Sequence, residues 1–89
     1  MHKLTSSQAT ILRLLLHTES WHNLLDESGL APGVLRDDLI MLSHKQFIEA
    51  FEHDNGAPGS KVRHFDNDFP ERFHYRATSA GVRAVSSAG

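Results

Sequence analysis

The chain has 89 residues, enough for one small domain with a single core. Nine Lys and Arg against eleven Asp and Glu leave a formal charge of −2, which excludes polyanion binding by bulk charge alone. There is no cysteine for a disulfide or thiolate metal site, no apolar run near the roughly 20 residues that span a bilayer, and no signal-peptide layout. The composition therefore predicts a single soluble domain over 1–89, cytoplasmic, with no membrane partner.

Ser6 or Ser7 predicts an N-cap, since a short hydroxyl accepts from the open amides of a first turn. Behind it Ile11, Leu12, Leu15 and Leu16 recur at helical spacing, which predicts a first helix from about Ser7 to His17 or Thr18. Ser20 caps a second helix whose one face carries Trp21, Leu24, Leu25 and Ser28. Gly29 ends it where a left-handed residue costs least. Leu30 points inward, and Ala31-Pro32 opens a third helix, proline suiting a first turn whose amide is unpaired anyway.

Leu35, Leu39 and Leu42 form the buried stripe of this third helix, which ends near Lys45 or Gln46. Phe47–His53 is rich in strand formers. From Asp54 to Ser60 the residues are turn formers throughout, and the span to Pro70 reads as a long mobile loop. Arg72–Ala77 alternates as a second strand, and Thr78 caps a short terminal helix over Ser79–Val85.

The predicted fold class is α+β: a three-helix bundle with a helix-turn-helix over about 21–45, a β-hairpin wing over about 47–77, and a short C-terminal helix. That order is the winged-helix plan. The segment Ser28-Gly29-Leu30-Ala31-Pro32-Gly33-Val34-Leu35 resembles the Gly-Leu-Ser-Pro-Gly entry of PadR-like regulators. Tyr75-Arg76-Ala77-Thr78-Ser79-Ala80-Gly81 is similar to the Tyr-x-x-Thr-x-x-Gly motif that closes such wings. The chain thus resembles a winged helix-turn-helix transcriptional regulator of the MarR/PadR class over nearly its whole length. It departs from that pattern at Gln46, where the family usually has glycine, and at Arg36, where PadR-like chains carry an aromatic residue. Within these 89 residues no long extra dimerisation helix is expected after the wing helix.

The resemblance implies double-stranded DNA as partner, with the third helix in the major groove and its N-terminal residues nearest the base edges. On a helical wheel Gly33, Asp37, Ile40, Met41 and His44 point outward, with Arg36 on one flank and Val34 and Asp38 on the other. The expected DNA-binding residues are Pro32, Gly33, Val34, Arg36, Asp37 and Ile40, joined by Lys61, Arg63 and His64 of a cationic wing. Asp37 and Asp38 equally suit the first turns of any helix through its dipole. Asp66, Asp68 and Glu71 partly neutralise the wing, as in an ordinary mixed-charge loop. The alternative is a protein-protein module using Ile40, Met41 and His44, because adjacent exposed apolar residues mark a docking face unless a neighbour covers them. The partner would then be another protein or a second copy of this chain.

No enzyme signature is present: the sequence lacks a nucleophile motif, and Gly56–Lys61 lacks the spacing and strand-to-helix setting of a phosphate loop. Seven histidines contain no His-x-x-x-His pair; His53, His64 and His74 meet only if the loop happens to bring them together. No cofactor and no metal are expected.

Overall fold

The computed structural model describes residues 4–54, 57–62 and 68–87. Among these, four α-helices pack on a four-stranded antiparallel sheet: α1 (Ser6–Leu14), β1 (Glu19–Ser20), α2 (Trp21–Ser28), α3 (Pro32–His44), β2 (Ile48–Asp54), β3 (Ala57–Val62), β4 (Phe73–Ala77) and α4 (Ser79–Ser87). A single 3₁₀ turn, Pro70–Arg72, precedes β4.

α1 starts one residue earlier than the hydroxyl pattern suggests, because Thr5 is the cap. Its side chain accepts from the Gln8 amide, and the Gln8 side chain accepts from the Thr5 amide in return. The helix stops at Leu14 rather than His17 or Thr18. The chain turns there because Leu15 is needed elsewhere: its carbonyl accepts from the Ala77 amide at 2.8 Å, tying α1 to the end of β4. Glu19 and Ser20 then pair with Tyr75 and His74, a short edge strand that the sequence pattern did not reveal.

Ser20 caps α2 through the Asn23 amide, and Gly29 closes it at φ +69°, the left-handed conformation in which a Cβ is penalised. α3 begins at Pro32 as expected. Its Leu35, Leu39 and Leu42 are fully buried with Ile11, Leu12 and Leu15 of the first helical segment and Leu24 of α2. Each such side chain contributes about 1.5–3 kcal/mol by leaving water. Tyr75, Ile48, Ala50 and Ala77 close the core from the sheet.

The sheet order is β1-β4-β2-β3, so β2 is paired on both sides. The expected partnership of Phe47–His53 with Arg72–Ala77 is present, as β2 against β4. The expected long loop is corrected: Ala57–Val62 is a strand, paired with β2 from Ala50↔Val62 to Asp54↔Ala57. It escapes the pattern because Pro58, Gly59 and Ser60 are poor strand formers. They are tolerated at a sheet edge, where one row of backbone groups needs no partner strand. Residues 63–67 of that span lie outside the described residues. No helix among the described residues is long and apolar enough to cross a membrane.

Candidate functional site

α3 is held on two sides. Its leucine stripe fixes it to the core, and Asp38 on its flank accepts a 2.5 Å hydrogen bond from the Ser7 hydroxyl of α1. Asp38 is therefore half-buried and engaged within the fold. That contact joins residues 31 positions apart, and nothing in the local sequence signals it.

The outer face of α3 begins with three exposed residues at the helix entry, Pro32, Gly33 and Val34. Arg36 and Asp37 are also exposed, their Nε and Oδ1 atoms 3.7 Å apart. An exposed pair at that distance is worth about 0–1 kcal/mol, so the guanidinium is readily given up to another anion. Met41 is 50% exposed and Val34 46% exposed; with Asp37 they sit at i, i+3 and i+7 of one helix face. His44 is exposed at the C-terminal end.

Ile40 does not belong to this face. Contrary to the wheel, it is half-buried and packs against the hydrophobic core. The wheel assumed a helix covered on one side only, whereas α3 is flanked by α1 as well as by the sheet. Ile40 is therefore only partly accessible for either the expected DNA-facing set or the expected docking set.

α3 ends at a tight reversal. Gln46 adopts φ +60°, a conformation costly for a residue with a Cβ. Its carbonyl accepts from the Thr78 hydroxyl at 2.8 Å, and the Phe47 carbonyl accepts from the Thr78 amide at 2.9 Å. The reversal thus locks the start of β2 onto the start of α4. Beside it, Lys61 of β3 lines an open groove of about 740 Å³ together with Ser43, Gln46 and Glu49. Lys61 therefore sits next to the C-terminal end of α3. Arg63 and His64, the other expected wing residues, lie outside the described residues. Glu52 and Asp54 are exposed on β2 of the same strand pair.

His53 and His74 do meet, as parallel rings 4.9 Å apart, while His64 lies outside the described residues. Burial lowers the pKa of His74, a neighbouring His53 lowers it further, and Glu19 opposes the shift. The His74 Nδ1 is buried without a hydrogen-bond partner. Among the described residues no group of three or more His, Asp or Glu side chains could hold a metal ion. Tyr75, buried at the centre of the sheet, donates from its hydroxyl to the Pro70 carbonyl at 2.7 Å. Burial, reinforced by Glu71, pushes its ionisation well above the ordinary phenol range. These aromatic groups serve packing, and none forms an exposed stacking platform.

Set against known proteins, the chain has no match among protein-family models, curated proteins or solved structures.

Proposed function

We propose that this chain is a winged-helix module that binds double-stranded DNA and serves as a transcriptional regulator. The observation that carries this reading is the α2–Gly29–α3 corner. A left-handed residue turns the chain from α2, capped by Ser20, into α3, and Pro32, Gly33, Val34, Arg36 and Asp37 of the first turns of α3 stand in solvent while Leu35 is buried and Asp38 half-buried. In this reading Pro32, Gly33, Val34 and Arg36 approach the base edges, where an arginine bidentate to guanine contributes about 1–3 kcal/mol of discrimination. Asp37 releases Arg36 on binding, or accepts from a cytosine amine. Lys61 contacts the phosphate backbone beside the C-terminal end of α3, where it lines one groove with Ser43 and Gln46.

The test is fluorescence anisotropy on mixed-sequence duplex DNA across a salt series. Binding weakens as salt rises because phosphate contacts release counterions. Arg36→Ala weakens the preferred sequence, whereas Lys61→Ala weakens all sequences alike. Absence of binding at low salt and micromolar protein contradicts the proposal.

A second reading is favoured by Val34, Asp37 and Met41, whose exposed apolar-acidic pattern suits a protein partner laid along α3. Met41→Asp then abolishes association with that partner and leaves DNA affinity untouched; the DNA reading predicts no such loss.

A further inference from the structure

A second surface lies at the far end of α1 from the Ser7–Asp38 contact. There Leu16, just past the end of α1, and Val82 of α4 form an apolar floor, 51% and 38% exposed. His17, Arg76 and Arg83 line the same open groove of about 590 Å³, and no carboxylate lines it. The three cationic or titratable side chains are exposed, and neither arginine carries an ion pair among the described residues. Glu49, across the strands from Arg76 in register, forms no ion pair with it and lines the other groove, beside Lys61. In a chain with a net negative charge, this is a local concentration of positive charge around exposed apolar surface.

We infer that this groove docks an acidic protein segment carrying apolar side chains, with Leu16 and Val82 receiving the apolar groups and Arg76, Arg83 and His17 pairing with carboxylates. Charge complementarity selects this occupant. A second copy of the chain related by a twofold axis would bring the same cationic rim against itself, which costs energy rather than gaining it. Nucleic acid would use the arginines but leave the apolar floor without a role. The groove is separated by the length of α1 from the Asp38 flank of α3, so an occupant there leaves the α3 face free.

The test is a titration of the full chain, followed by amide chemical shifts, with a synthetic peptide rich in Glu and Asp that contains two leucines. The same peptide with serine in place of leucine is the second probe. Saturable shifts centred on Leu16, His17, Arg76, Val82 and Arg83 are expected. Arg83→Glu, Arg76→Glu and Leu16→Ser each weaken binding by about tenfold or more, and the leucine-free peptide binds about tenfold more weakly. These positions are exposed, so retained amide spectra show that the variants fold. No saturation by millimolar peptide, or shifts centred on α3, overturns the inference. Equal binding of the two peptides, with duplex DNA competing for the site, overturns it in favour of a general polyanion patch.

Discussion

Gly81 and Gly33 both lie in the first turn of a helix, yet replacing each by alanine should have opposite effects. In a helix, alanine normally stabilises relative to glycine by about 0.5–1 kcal/mol. Around Gly33 nothing lies within 4 Å of an added methyl, so Gly33→Ala should gain that amount. At Gly81 the added carbon would fall well inside van der Waals contact of the Phe47 carbonyl oxygen, and 3.3 Å from Leu12 Cδ2. The obstacle is backbone, and it cannot rotate away. Relief requires α4 to lift from the β2 entry, which strains two hydrogen bonds: Thr78 amide to Phe47 carbonyl and Thr78 hydroxyl to Gln46 carbonyl. Each is worth about 1 kcal/mol net, and overpacking adds about 1–3 kcal/mol. After the helix gain is subtracted, Gly81→Ala should destabilise by about 2–4 kcal/mol. For a domain of this size that lowers Tm by at least about 10 °C, read by far-ultraviolet circular dichroism and confirmed by urea midpoint. An unchanged or raised Tm for Gly81→Ala refutes the close approach of α4 to Phe47.

The reversal after α3 gives the converse case: Gln46→Gly should relieve about 1–2 kcal/mol of left-handed strain and lose about 0.4–1 kcal/mol through the looser unfolded chain. A net gain of about 0.5–1 kcal/mol in urea unfolding is expected; destabilisation contradicts it. The only tyrosine should stay un-ionised in the folded chain above pH 10. Because its folded pKa is raised, the unfolded state loses its proton first and stability falls as pH rises above about 10. Tyrosinate absorbance should therefore appear together with loss of circular dichroism, and a separate earlier transition counts against the buried hydroxyl. For His74 the shift is downward, so the unfolded chain takes up a proton that the folded one refuses. That contribution is complete above about pH 6.5 and is lost as pH falls through it. His74→Phe should flatten the fall in urea midpoint between pH 7 and 5.5; an unaltered slope contradicts the assignment.

Residues whose structure depends on nearest neighbours were legible in the sequence. Ser20, Gly29, Pro32 and the Leu35–Leu39–Leu42 stripe each state a local rule, and each stands in the structure as read. What escaped depends on distant partners. β1 exists because Tyr75 and His74 offer it an edge, and β3 because β2 templates residues that alone favour turns. The Asn55-Gly56 dipeptide was the available signal for β3, since such pairs commonly link two paired strands. Ile40 was misplaced because a wheel registers one covered face, whereas α3 is covered by two neighbours. Gln46 escaped because nothing about a glutamine signals the φ of +60° it adopts at the reversal after α3. The groove of Leu16, Arg76 and Arg83 was invisible, because it joins the turn after α1 to the β4–α4 segment about sixty residues further along the chain.

DNA binding by the α3 face is tested by a salt series of anisotropy titrations on duplex DNA. With Lys61 and a small number of further phosphate contacts, log affinity against log salt should fall with a slope of about −2 to −4. Lys61→Ala should reduce that slope by about one. A flat salt dependence, or no binding at low salt and micromolar protein, contradicts DNA binding and leaves the α3 face to a protein partner.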